Sequence, residues 1–346
     1  MKNEKIITFG EIMLRLSTPN CETINQTHSF MVNYGGGEAN VAVALSHMGH
    51  STYFMSKLPP NQLGDGAITH LKSNGVDTRY VVRGSTTIGI YFVETGFGGR
   101  PSKVLYNRKH SAITRIQEDE FDWEEIFSGA TWFHLSGITL ALGERVREVA
   151  LRACKEAKAH GVKVSFDFNY RAKLWTVEEA RPVYKEFMNY VDIVFASFYD
   201  ANTILEIPLD DGFDMNETLG AKRRNVFPKM IKKYNLNYIF GTDRVVYTAT
   251  DNSLAGYYFW LNGEELSWEL TEPIRFNILD RIGGGDAFAS GVIHGLLKNF
   301  DDPKYAVRYG LSTSVLKHTI QGDVSTFSCE EIEAFMNANG SAEVVR

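Results

Sequence analysis

Short apolar runs rich in β-formers alternate along the chain with longer segments whose apolar positions recur every three or four residues. That alternation is the pattern of a parallel sheet wrapped by helices, so the fold class is α/β. It predicts strands over 5–9, 52–55, 131–135, 162–167, 192–196 and 238–240. Helices are predicted over 38–48, 64–74, 143–160, 177–190, 227–233, 287–297 and 304–317. In the 287–297 segment the pairs Phe288/Ala289, Val292/Ile293 and Leu296/Leu297 fall on one side, as in an amphipathic helix.

Two regions break this rhythm. Residues 14–34 and 86–111 carry period-two stretches, among them Ile88 to Val93 and Val104 to Arg108, and read as strand hairpins outside the main sheet. Gly96 to Pro101 supplies the turn of the second hairpin, and the period places Tyr106 and Arg108 on one face of their strand. The expected architecture is a single domain over 1–346 with a small β lid, from about 12–34 and 86–111, inserted in the α/β core. Residues 206–225 read as a surface insertion and 337–346 as a frayed end.

Several predicted strands run straight into polar residues: Ser136-Gly137, Asn169-Tyr170-Arg171, Ser197 and Gly241-Thr242-Asp243. Ligands of open α/β sheets bind beyond the carboxyl ends of the strands, so these stretches are expected to converge on one cleft. The run Asp280-Arg281-Ile282-Gly283-Gly284-Gly285-Asp286 lies just before the helix that starts at Ala287. Glycines at a helix N-terminus let an anion approach unpaired N–H groups at the positive end of the dipole. Asp286, in the first turn beside such an anion, has the place of a base for an attacking hydroxyl. Taken alone, the same run also fits a glycine-rich turn with an ordinary first-turn acid.

A second cluster, Gly35-Gly36-Gly37-Glu38-Ala39-Asn40, precedes a small-residue helix. Its glycines offer N–H groups to a polyhydroxyl ligand and Asn40 offers both donor and acceptor, although tight packing against the sheet explains glycine there equally well. Arg108 and Arg171 are candidates for a carboxylate, which a guanidinium holds through paired hydrogen bonds; surface ion pairing is the alternative.

Composition narrows the field. With 44% hydrophobic and 23% charged residues in 346, the chain can bury a substantial core, and a net charge of −6 disfavours nucleic acid or an anionic membrane as partner. Cys21, Cys154 and Cys329 are too far apart for a disulfide framework or zinc spacing, and a reducing cytoplasm is expected. There is no run of membrane-spanning length. GxGxxG with its distal acid, GxxxxGK[ST], HExxH and GxSxG are all missing, which weakens dehydrogenase, P-loop, zinc-protease and α/β-hydrolase readings.

Together, Gly35 to Ala42 and Asp280 to Phe288 resemble the paired signatures of the ribokinase-like (PfkB) sugar kinases, over about residues 5–335. The resemblance implies a three-layer α/β/α sandwich with a β lid, and ATP and Mg²⁺ as cofactors. It implies γ-phosphoryl transfer to a sugar hydroxyl, with Gly283, Gly284 and Gly285 as anion hole and Asp286 as base. Within the family the chain looks most like 2-keto-3-deoxygluconate kinases, through Val104 to Lys109, His134 to Ile138, Asp167 to Arg171 with Leu174-Trp175, and Leu316 to Asp323. By that similarity Tyr91, Tyr106, Arg108, Ile138 and Arg171, with Gly35, Gly36 and Asn40, line a sugar-acid pocket. Ser197, Gly241, Thr242 and Gly322 are expected at the nucleotide, together with Gly283 and Gly285.

The chain also departs from the family pattern. Arg281 stands where threonine is common and Gly284 where alanine is, and Arg281 is expected to add charge beside the donor phosphates. The NxxE element beside the metal becomes Ser197-Phe198-Tyr199-Asp200, leaving Asp200 as an indirect metal-associated carboxylate. A neutral-sugar kinase for fructose or ribose, or a sugar-binding protein of the same fold without chemistry, are the alternatives. A homo-oligomer joined through the lid is expected.

Overall fold

The computed structural model describes residues 4–263 and 265–338, so the expected fraying of the C-terminal end falls, beyond 338, outside the described residues. The chain opens with β1 (Lys5–Phe9), then β2 (Met13–Ser17) and β3 (Met31–Gly35), α1 (Gly37–His47), β4 (Ser51–Leu58), α2 (Gln62–Ser73) and β5 (Val81–Arg83). A second hairpin, β6 (Ile90–Glu94) and β7 (Lys103–Asn107), precedes α3 (Trp123–Phe127), β8 (Ala130–Ser136), α4 (Gly137–Leu140) and α5 (Glu144–Ala159). The core continues through β9 (Lys163–Asp167), α6 (Val177–Phe187), β10 (Ile193–Phe195), α7 (Leu219–Tyr234), β11 (Tyr238–Val246) and β12 (Asp251–Asn262). It closes with β13 (Glu265–Leu270), β14 (Ile274–Asn277), α8 (Gly284–Lys298), α9 (Pro303–Lys317) and α10 (Cys329–Asn337).

Among the described residues the large sheet runs β13-β12-β11-β10-β9-β8-β1-β4-β5, with β14 also paired to β12. From β5 to β11 every neighbouring pair is parallel, and β12 joins β11, β13 and β14 antiparallel. Both faces are buried: Ile6 and Trp132 pack towards α1, α8 and α9, whereas Ile7 and Phe133 pack towards α5. That two-sided burial is why the parallel strands read as continuous apolar runs. The small sheet has the order β3-β2-β6-β7. Its two hairpins are those read from the period-two segments, joined by a parallel pairing of β2 with β6.

Four expectations need correction. The strand predicted to stop at Phe240 continues to Val246, because its polar residues form an antiparallel ribbon with β12. The helix predicted as amphipathic is buried on all sides from Ala287 to Leu296. A Cβ on Gly291 would sit 2.7 Å from the Gly310 Cα, so α9 closes directly over what was expected to be its outer face. Residues 219–225 belong to α7 rather than to a surface insertion, and Arg223 on that turn is buried against Asp243. The elements β5, α3, α4, β12 to β14 and α10 were not foreseen.

Candidate active site

Gly283 caps α8 in the left-handed region at φ 83°, and a Cβ there would meet the Asp323 carbonyl oxygen at 1.8 Å. Only glycine fits both demands. The first helical hydrogen bond runs from the Ala287 N–H to the Gly283 carbonyl, so Gly284, Gly285 and Asp286 present N–H groups without a helical acceptor. Asp280 shapes the loop from behind: its carboxylate accepts from the Ile282 and Gly322 N–H groups, each at 3.1 Å. Arg15, on β2, lies buried between Asp280 and Asp323 and ties the small sheet to this loop. Its pKa is raised although burial alone would lower it, because the two carboxylates favour the charged form.

The loop borders a cavity of about 580 Å³. Tyr91, Tyr106 and Arg108 line it from the small sheet, and Ile138, Arg171, Gly36, Asn40 and Gly283 to Asp286 from the core. Asn40 donates from Nδ2 to Asp286 Oδ2 at 2.7 Å and accepts the Gly36 N–H on Oδ1 at 3.2 Å. Burial pushes the Asp286 carboxyl up to about 7; the Asn40 bond opposes this, Glu38 and Asp323 add to it, and Arg171 opposes it. Asp167, at the end of β9, is pushed up to about 8 by burial and then by Asp286. Such coupled carboxylates at a cleft mark a functional centre.

The two arginines differ in their surroundings. Arg108 forms an ion pair with Glu11, yet its Nε–H is buried without an acceptor. Arg171 is exposed to the cavity, and among the described residues its guanidinium bonds only the Tyr170 carbonyl, at 3.2 Å. Arg171 is open to an incoming carboxylate, with Arg108 beside it on the cavity wall. Tyr91 stacks on Tyr106 at 5.8 Å and donates a hydrogen bond from its hydroxyl to Asp323.

A smaller cavity of about 190 Å³ adjoins the first and is lined by Ser197, Asp200, Gly241 and Thr242. Ser197 donates both its N–H and its hydroxyl to Asp200 Oδ2, each at 2.7 Å, so that hydroxyl proton is already committed. Burial raises the Asp200 pKa. Among the described residues no group of three or more His, Cys, Asp or Glu side chains is placed to hold a metal. Asp167 interacts electrostatically with both Asp286 and Asp200 and borders the two cavities, so these carboxylates would face a divalent cation accompanying a bound phosphate.

Two residues expected at ligands are not brought there. Gly35 lies behind the cavity, where a Cβ would strike the Asp323 carboxylate at 2.3 Å, so packing explains it. Gly36 does line the cavity, but its N–H is taken by Asn40. Gly322 borders a separate hollow and spends its N–H on Asp280. Arg281 lines the larger cavity and not the smaller one. Conversely Glu11, Glu38, Asp167, Arg244 and Asp323 surround the site without having been singled out as ligands. Arg244 was recoverable: continuing β11 past Phe240 puts it on the same face as Thr242.

Gly284 now has a reason. A Cβ at this position would lie 2.2 Å from Cε1 of the buried His318 ring, so the alanine common in the family has no room.

Known proteins share this fold. The profile of the pfkB family of carbohydrate kinases matches residues 3–326. A 2-dehydro-3-deoxygalactonokinase from Haloferax volcanii is 32% identical over 343 residues, covering 99% of both chains. The crystal structure of a 2-dehydro-3-deoxygluconokinase from Thermotoga maritima superposes with a TM-score of 0.90 at 45% identity, covering 97% of this chain and 98% of the other. An ATP-bound fructokinase from Xylella fastidiosa shares the fold, with a TM-score of 0.77 at 20% identity and coverage of 98% and 100%. With a glycine-lined helix terminus, an adjacent carboxylate and a match over nearly its whole length, the chain belongs to the PfkB family of carbohydrate kinases, phosphotransferases acting on an alcohol.

Proposed function

We propose that this protein transfers the γ-phosphoryl group of ATP to the terminal 6-hydroxyl of 2-keto-3-deoxygluconate. The substrate's hydroxyl oxygen forms the new bond to phosphorus, the bond from the γ-phosphorus to the β,γ-bridging oxygen breaks, and ADP leaves. Asp286 takes the hydroxyl proton, and a pKa near 7 suits a base working near neutral pH. Within the Gly283 to Gly285 anion hole, the N–H groups of Gly284 and Gly285, which have no helical acceptor, are assigned to the charge that develops on the phosphoryl oxygens. The nucleotide is assigned to the smaller cavity, with Ser197, Gly241 and Thr242, and the sugar acid to the larger. Asp167 and Asp200, on the wall of the smaller cavity, are the residues that would hold Mg²⁺, and the ion would supply neutralisation of phosphate charge. Related folds have been solved with ATP and with ATP plus Mg²⁺.

One observation carries the sugar-acid reading: Arg171, with no carboxylate partner among the described residues, and Arg108 share a cavity with Asp286. The names of the 45% and 32% identical relatives agree with it, while differing in the configuration of the sugar acid. The test is ADP release over a panel of ketodeoxy acids, aldonic acids, fructose and ribose. Ketodeoxy acids should be turned over fastest, and fructose or ribose overtaking them would refute the assignment. Asp286→Asn should lower kcat by about 10²–10⁴-fold with ATP binding retained. The outer face of the small sheet exposes Phe30, Val32 and Leu105, and we assign it the contact of a homo-oligomer.

A further inference from the structure

We propose that Arg244 is a catalytic residue that holds the phosphoryl group in flight at the boundary between the two cavities. The inference rests on the kinase reading and adds to it a group outside the glycine loop. Asp167, Thr242, Arg244, Gly284 and Gly285 line both cavities, and Arg244 is the cation among them. With nucleotide in one cavity and acceptor in the other, the transferred group must pass this boundary. Guanidinium N–H groups there meet the oxygens on which charge develops, as the glycine N–H groups do.

The surroundings of Arg244 fit a waiting anion site. Arg15, Arg108 and Arg223 are each buried against a carboxylate. Arg244, largely enclosed, has neutral partners only: Nη1 donates to Asn252 Oδ1 at 3.3 Å, and Nη2 donates to His318 Nε2 at 2.9 Å. Among the described residues no carboxylate pairs with it. Burial, and then the nearby Arg281, pull its pKa down to about 10, the mark of a positive charge left uncompensated. An arriving phosphoryl group supplies the missing negative charge.

His318 aims the guanidinium. Its Nδ1–H donates to the Ser314 carbonyl at 2.5 Å, which leaves Nε2 bare as an acceptor, and burial holds the ring neutral. The same ring occupies the space of a Cβ on Gly284. One buried imidazole therefore fixes the orientation of Arg244 and the seat of the glycine loop together, and His318 is a positioning residue. This coupling accounts for glycine at 284 and for an arginine four residues beyond the apolar part of β11.

The test uses the full chain and whichever acceptor the wild type phosphorylates fastest, so an error in the sugar-acid assignment leaves it valid. Asp286→Asn, run alongside, reports separately on the kinase chemistry. Arg244→Gln should lower kcat by roughly 10²–10³-fold, with acceptor KM within about threefold of wild type. ADP, which lacks the transferred group, should bind with unchanged affinity. Added guanidinium should restore part of the kcat of Arg244→Ala, which a purely structural role would not allow. A kcat for Arg244→Gln within about threefold of wild type, a loss confined to acceptor KM, or no rescue by guanidinium overturns the proposal.

Discussion

Removing the side-chain amide of Asn40 should move the acidic limb of the pH–rate profile. Asn40 donates to Asp286 at 2.7 Å, and this bond favours the ionised form of the carboxylate. A hydrogen bond to a charged group contributes about 1.5–3 kcal/mol, and one pKa unit corresponds to about 1.4 kcal/mol, so its loss raises the pKa by roughly 1–2 units. Asp286 is half-buried and open to cavity water, which replaces part of the lost bond and favours the lower figure of about one unit. The base must be ionised to act. Wild-type kcat/KM should therefore be low below the pKa, rise through about pH 7 and level off above it. In Asn40→Ala the same limb should centre near pH 8. Asp167 titrates alongside, so the apparent values belong to the pair, but the direction of the shift is the same. The assay is direct quantification of ADP at subsaturating acceptor from about pH 5.5 to 9.5. A kcat/KM lowered equally at every pH, with the limb in place, would mean that Asn40 serves the substrate and not the base.

Asp286 should also cost stability at high pH. A carboxyl whose folded pKa is raised contributes stability that is complete below its unfolded pKa and lost as pH rises through about 7, so Asp286→Asn should melt above wild type at pH 8 and with it at pH 4. A variant melting below wild type at pH 8 would contradict this. Arg15→Met leaves the buried Asp280 and Asp323 unpaired and should lose about 3–5 kcal/mol in denaturant unfolding; a loss under about 1 kcal/mol would show the ion pairs to be unimportant. Gly284→Ala drives a Cβ to 2.2 Å from His318 and should cost about 1–3 kcal/mol. That cost should largely vanish in a His318→Ala background, and persistence there would place the clash elsewhere.

The candidate site was legible where chemistry and secondary structure coincide within a few residues. Gly283 to Asp286 carries its glycines, its helix start and its acid in one run. Arg171 follows the end of β9, where α/β sheets bind ligands. Arg244 and β12 escaped because polar residues after Phe240 look like a strand end, and only pairing with Asp251 to Asn262 shows that the strand continues. Gly35 and Gly322 misled for a related reason. Glycine is demanded equally by a ligand, by close packing and by a left-handed backbone: Gly35 is packed against Asp323, and Gly322 sits at φ 89° with its N–H on Asp280.

The sequence by itself determined the alternation of strand and helix, the two hairpins of the small sheet and the glycine-rich helix terminus with its first-turn acid. Each of these rests on local periodicity or on the conformational freedom of glycine. Only the tertiary structure decided which charges meet: Arg15 with Asp280 and Asp323, Arg108 with Glu11, and Arg244 with no acid among the described residues. Those partners lie up to hundreds of residues apart in the chain, as Arg15 and Asp323 do at a separation of 308. Whether an arginine is neutralised or left to receive an anion depends on burial and distance, which no local pattern records.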